Sequence, residues 1–308
     1  MRLFFLYEKD MKKIIECVPN FSEGRDRTII DSIVSTINET RVCEKRVKVL
    51  KVDSGEAVNR TVVTFVGEVD VVVEAAFRAV KRAAELIDMR KHHGTHPRLG
   101  ATDVLPLIPL QNISLEECAQ LARQLAQRIY DELGIACYLY EAAALRAERK
   151  NLAVCRRGEY ERLKARIEDS AIDDAPDIGP KVFTDIVARS GATNVGAREF
   201  LVAVNFNIDS PSKELAHDIA CEVREKGRKI NGEWHPGILK GCKAIGWFIP
   251  EYGYAQVSMN ICDTKTTPYK RAYEVVCEVA LRHGTRVTGV ELIGVLPEDV
   301  MTAVKSIL

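Results

Sequence analysis

Apolar positions along the chain recur with two periods, and switches between them mark the elements. The run Ile14 to Val18 reads as a strand, followed by a turn at Pro19, Asn20, Ser22 and Gly24. From Thr28 to Ile37 the spacing is helical, with Ile29, Ile30, Ile33, Val34 and Ile37 on one face. Val47 to Val52 is strand-like and ends at Asp53 and Gly55, and Thr61 to Val66 is a β-branched run closed by Gly67. Val71 to Met89 is a long amphipathic helix rich in alanine. A histidine-rich stretch precedes a strand at Val104 to Ile108, a helix at Ser114 to Leu133 and a strand at Ile135 to Tyr140. Ser114 and Glu117, three positions apart, have the spacing of a capping box.

Between Leu145 and Pro180 the composition becomes charge-rich and ends in EDSAIDDAPDIGP, the texture of a connector. The second half then alternates again: strand Phe200 to Ile208, helix Ser212 to Lys226, strands Ala244 to Ile249 and Ala255 to Ile261, helix Tyr269 to Arg282, strand Arg286 to Ile293. That βαββαβ order is the split pattern in which two helices cover one face of a four-stranded antiparallel sheet. The first half fits the same unit with an extra strand and helix. The expected class is therefore α/β of the α+β type: two ferredoxin-like βαββαβ subdomains, 1–178 and 179–308, facing a ligand groove.

Composition narrows the function classes. The chain has 308 residues, is 46% hydrophobic, and balances 44 Lys plus Arg against 44 Asp plus Glu, with no basic tract. This favours a small-molecule substrate over a nucleic acid or membrane partner, and the 6% aromatic content argues against RNA binding on a sheet face. The nine cysteines are scattered with no CxxC pair, so they read as core thiols of a cytoplasmic protein. No stretch approaches a membrane span, the opening apolar run is too short for a signal peptide, and Met11 is an alternative start.

The leading chemical feature is KHHGTHPRLGATDVLPLIP at Lys91 to Pro109, with three of the six histidines in five positions. Gly94 and Pro97 keep this segment from continuing a helix, so His92, His93 and His96 are displayed on a loop, and histidine exchanges protons near neutral pH. The same three histidines raise a zinc hydrolase as a remote alternative, weakened because those breakers disrupt the helical ligand spacing and no HExxH glutamate is present.

Several segments resemble the formiminotransferase domain family: ECVPNFSEGRD at Glu16, NRTVVTFVG at Asn59, LIDMRKHHGTHPRLGATDVLPLIP at Leu86, GATNVGAREFLVAVNFNI at Gly191, IGWFIPE at Ile245 and AQVSMN at Ala255. The resemblance runs from about Lys12 to the end. It implies two α/β subdomains, a homodimer, no metal, and transfer of the formimino group from N-formiminoglutamate to tetrahydrofolate, the co-substrate, in histidine degradation and one-carbon metabolism. It also implies a catalytic histidine in the HPR motif, His96 here, and a folate loop from Gly179 and Pro180 to Gly191. The resemblance stops at Leu308, without a cyclodeaminase domain, so a separate partner is expected to process the product.

Transfer between two amines needs one group that takes a proton and later returns it, and His96 suits that role. Asp53, at a strand end, is the candidate to orient the imidazolium, with a turn-stabilising role as the alternative. Asn59, Arg60 and Arg98 are the candidates for substrate binding, because arginine binds carboxylates in bidentate fashion, with an ordinary surface role as the alternative for either arginine. Asp103 is expected to pair with Arg98 inside the loop. Gln256 and Ser258 alternate on one strand face with Asn260 and offer hydrogen bonds to a pterin, or form an ordinary polar face. Related donors, N-formylglutamate or formiminoglycine, are the closest alternative substrates.

Overall fold

In the computed structural model, which describes residues 12–94 and 96–307, the chain divides into one unit of residues 12–198 with 297–307 and another of residues 199–296. The alternative start at Met11 lies outside the described residues. No helix among those residues is long and apolar enough to cross a membrane.

The first unit begins with β1 (Ile14–Cys17) and β2 (Asn20–Phe21), which both pair antiparallel with the same two neighbours. They are two pieces of one strand interrupted around Pro19, which has no N–H for the ladder. The turn expected at Pro19 to Gly24 therefore starts later than its composition suggests. Next come α1 (Arg27–Glu39), a hairpin of β3 (Arg41–Val42) and β4 (Lys45–Arg46), β5 (Lys48–Gly55), β6 (Arg60–Glu68), α2 (Val69–Leu86) and β7 (Thr102–Gln111). Strands β5, β6, β1/β2 and β7 lie side by side in that order, the βαββαβ arrangement.

The extension beyond this arrangement is appended at the β7 edge. Helix α3 (Leu115–Leu133) leads to β8 (Ala136–Glu141), then to short helices α4 (Leu152–Cys155), α5 (Glu159–Glu168) and α6 (Asp185–Ser190), and finally to β9 (Ala192–Ala197). Strand β9 inserts between β7 and β8, parallel to both. The capping box of α3 is present: Ser114 Oγ accepts from Glu117 N at 3.2 Å, and Glu117 Oε2 accepts from Ser114 N at 2.8 Å.

The charge-rich stretch after β8 is not a connector. Arg149 and Arg166 are both buried, with guanidinium carbons 4.9 and 4.2 Å from the centre of the Tyr138 ring. Arg149 Nη1 meets Asp177 at 2.6 Å, and Arg166 Nε meets Asp174 at 3.0 Å. Charges that look solvated along the sequence are paired inside a satellite core with Leu163 and Val187. The units accordingly divide at Arg198, and residues 179–198, expected to open the second subdomain, belong to the first because β9 is an inner strand of its sheet.

The second unit contains β10 (Val202–Ile208), α7 (Lys213–Val223), a hairpin of β11 (Arg228–Ile230) and β12 (Glu233–His235), β13 (Cys242–Ile249), β14 (Tyr254–Ile261), α8 (Tyr269–Arg282) and β15 (Val287–Ile293). Its sheet is antiparallel in the order β13, β14, β10, β15, as the βαββαβ reading requires. Val204, Phe206, Val257 and Met259 on one face pack with Ile219, Val275 and Val279. Helix α9 (Pro297–Lys305) returns to the first unit.

Candidate active site

Strand pairing sorts the first sheet into two faces. Ile15, Cys17, Phe21, Val63, Phe65, Leu105, Leu107 and Val195 share the apolar core with α1, α2 and α3. Register places Glu16, Asn20, Val104, Asn194, Tyr138 and Tyr140 on the other face. Glu16, Asn194, Tyr138 and Tyr140 are all buried, and buried polar groups call for partners or a task.

Asn59 gathers the loops at one end of this sheet. Its backbone is left-handed, with φ 51°. The side-chain Oδ1 accepts from Gly24 N at 2.9 Å, Nδ2 donates to the His93 carbonyl at 2.8 Å, and its own carbonyl lies 3.0 Å from His92 Nε2. A β-carbon on Gly94 would stand 2.5 Å from the Val58 carbonyl oxygen, so the histidine loop approaches the β5–β6 turn as only glycine allows. On the opposite side, Gly191 caps α6 at φ 68° and lies against Leu99 and Gly100.

Arg60, at the start of β6, is the hub. Its Nε donates to Asn20 Oδ1 at 2.9 Å and its Nη2 to the same oxygen, while Nη1 donates to Asp103 Oδ2 at 2.9 Å and lies 2.7 Å from His96 Nδ1. Asp103, 1% exposed, also accepts from Arg156 Nη2, from Arg156 Nε at 3.3 Å and from Leu99 N at 3.0 Å. Asn194 Nδ2 donates to the Asp103 carbonyl at 2.8 Å. His96 Nδ1 lies 2.7 Å from the Pro97 carbonyl as well.

The electrostatics follow from this crowding. Burial, then the Arg60 and Arg156 charges, hold the His96 pKa well below its ordinary 6.5, against the Pro97 carbonyl, so the ring is neutral at physiological pH. Burial and the Arg156 charge lower Arg60 to about 9, opposed by Asp103. Elsewhere on the face, burial raises Glu16 to about 7 although the Arg198 charge opposes it.

Several residues have other partners than the sequence suggests. Arg98, expected as a substrate anchor and as the partner of Asp103, is buried and pairs with Glu159 at 3.0 Å and Glu161 at 2.5 Å; Asp103 pairs instead with Arg60 and Arg156. Asp53 pairs with Lys51, two residues along its own strand, at 2.8 Å, and the carboxylate joined to Arg60 beside His96 is Asp103. Both ends of the Asn59 amide are committed to backbone, as described above. The expected folate loop contains helix α6, with Val187 buried; Gly179 packs against Ala136 of β8, next to Pro180. In the second unit, the Gln256 amide accepts from Trp247 Nε1 at 3.0 Å and donates to Asn207 Oδ1 at 2.8 Å, with Ser258 two residues on along the same strand face. Sequence reading missed Asn20, Arg156 and Asn194 as site residues: Asn20 and Asn194 lie within the family-like segments at Glu16 and Gly191 without being singled out there, and Arg156 lies in none of those segments. Among the described residues no three His, Cys, Asp or Glu side chains converge as metal ligands would; His92 faces Asn59 and Arg98.

Comparison with known proteins agrees with this division. Residues 14–198 match the Formiminotransferase domain, N-terminal subdomain, and residues 203–307 match the Formiminotransferase domain. The chain is 45% identical over 93% of its length to the Formimidoyltransferase-cyclodeaminase of Dictyostelium discoideum, of which it spans 51%. It is 42% identical to the Glutamate formimidoyltransferase of Streptococcus pyogenes serotype M1 over 93% of its length and 90% of that protein's. Its counterpart in Thermoplasma acidophilum is 40% identical, over 94% of this chain and 89% of that protein.

Proposed function

Because the chain belongs to the formiminotransferase domain family, we propose that it moves the formimino group of N-formimino-L-glutamate to N5 of tetrahydrofolate, giving 5-formiminotetrahydrofolate and L-glutamate. The reading carries over what the names of the Streptococcus and Thermoplasma relatives say of those proteins. The observation that carries it here is a neutral imidazole, His96, set between a guanidinium and a carbonyl.

In the transfer, the donor's amidine enters protonated, as an amidinium; the acceptor nitrogen bonds to the imino carbon while the C=N electrons move to the protonated imino nitrogen, which becomes an amino group, and the acceptor nitrogen gives its own proton to His96. The tetrahedral adduct then re-forms C=N as the bond to the glutamate nitrogen breaks, and His96 returns its proton to that leaving nitrogen. Arg60 can only donate and the Pro97 carbonyl can only accept, so the neighbours of Nδ1 favour opposite tautomers. The neutral ring can thus carry its proton on either nitrogen. A histidine of depressed pKa becomes a strong acid once protonated, which speeds the second transfer. Asp103 and Asn20 fix Arg60, and Arg60 fixes the ring. Folate contacts from Gly179, Pro180 and Gly191, a homodimer and a cytoplasmic location complete the reading.

A transfer assay with tetrahydrofolate and, in turn, formiminoglutamate, formylglutamate and formiminoglycine tests it. Turnover is expected with the first donor. If tetrahydrofolate binds and none of the three donors reacts, the proposed reaction is wrong.

A further inference from the structure

We propose that Arg156 holds a carboxylate of the amino-acid donor through the end of its guanidinium that Asp103 leaves unused. The inference rests on the transfer reaction proposed above and adds a residue to it. Asp103 takes Nε and Nη2 of Arg156. Nη1 and its two N–H groups make no hydrogen bond among the described residues, and the side chain remains 15% exposed whereas that of Asp103 is 1% exposed. An arginine held side-on by one carboxylate presents its end-on fork already oriented, which suits bidentate capture of a second.

Two other arginines near His96, Arg60 and Arg98, lack such a free end. Arg60 directs Nε, Nη1 and Nη2 at Asn20, Asp103 and His96, and Arg98 is occupied by Glu159 and Glu161. Local charge favours an anion too: two guanidiniums share the single carboxylate of Asp103 beside a neutral imidazole. The position is rigid. Arg156 caps α4, and buried Arg166 donates from Nη1 to the carbonyl of the preceding residue, Cys155, at 2.7 Å. A ligand bearing carboxylates, such as an N-substituted glutamate, matches this fork.

Arg156→Gln and Arg156→Lys, compared with the parent protein, test the proposal by steady-state kinetics with each substrate varied and by calorimetric binding of glutarate. For Arg156→Gln the donor KM is expected to rise about 100-fold, with kcat lowered less than about ten-fold and the tetrahydrofolate KM within about two-fold, the size expected for a lost bidentate charge-assisted contact. Lysine restores charge without the fork and should leave a rise of about ten-fold. A folded Arg156→Gln protein with parental donor KM and glutarate affinity overturns the anchor and leaves the reaction intact. Should the glutamine variant fail to fold, Arg156→Lys decides: parental donor KM and glutarate affinity overturn the anchor. If the parent transfers no formimino group yet binds glutarate only with Arg156 present, the reaction falls and the anchor stands.

Discussion

Arg60 Nη1 sits 2.7 Å from His96 Nδ1, so a fixed positive charge faces the ring that is to carry the proton. Burial, with this charge added to it, depresses the His96 pKa below 6.5, and neutral His96 is the base for the first transfer. The acid limb of kcat/KM against pH should therefore lie below 6.5, with no loss from this group between 6.5 and 8. Arg60→Gln removes the charge and should shift that limb upward, toward 6.5. A parental limb above 6.5 would contradict the arrangement.

His96→Ala should lower kcat by about 10² to 10⁴, the usual worth of a positioned proton shuttle. Its thermal midpoint should match the parent's, because the ring supports no apolar core. A loss smaller than ten-fold, measured on protein of parental melting temperature, removes His96 from the chemistry.

Gly191 joins fold and site. A β-carbon there would lie 2.2 Å from the Leu99 carbonyl oxygen, at a φ of 68° that side chains resist. Gly191→Ala should cost about 2 kcal/mol or more of stability, through strain plus displacement of the Leu99–Gly100 backbone that follows His96. Urea unfolding reads the stability and the transfer assay reads the site. A variant of parental stability would show that this close approach is relaxed in solution.

What the sequence made legible was local. Alternation at Val202 to Ile208 and helical spacing at Tyr269 to Arg282 state which face of each element meets the core, and the core of the second unit is built from those faces. The histidine loop was legible because Gly94 and Pro97 announce it. Partner choice was not, since it depends on distant segments meeting: Asp103 pairs with Arg156, 53 residues away, rather than with nearby Arg98. Similarly, the charges of Arg149 and Asp177 look like those of a solvated linker until their burial is seen.

That buried pair gives a further test. Asp177→Asn takes the nearer of two carboxylates from the Arg149 guanidinium, 1% exposed, leaving Asp174 at 3.6 Å, and removing one partner of a buried ion pair typically costs up to about 3 to 5 kcal/mol. Chemical denaturation should register a loss of that size. The change lies in the segment that carries α4 and Arg156, so donor KM should rise as well. A loss below 1 kcal/mol would mean that Asp174, 3.6 Å from Arg149 Nη2, balances the charge in place of Asp177.

Glu16 links burial to pH. Its carboxyl keeps its proton to about pH 7 in the folded chain, against an ordinary value of 4.5, because burial disfavours the charge. Between those values the folded state binds more protons than the unfolded state, so the free energy of unfolding falls as pH rises. The contribution is fully present below 4.5 and is lost through 7, amounting to about 3 kcal/mol. Glutamine keeps the shape without a titrating proton. The stability of Glu16→Gln relative to the parent should therefore increase by about 3 kcal/mol between pH 4.5 and pH 8, and taking the difference cancels every other titrating group. Urea unfolding of both proteins at the two pH values measures it. Equal pH slopes for the two would mean that Glu16 ionises normally, with water or Arg198 compensating its charge.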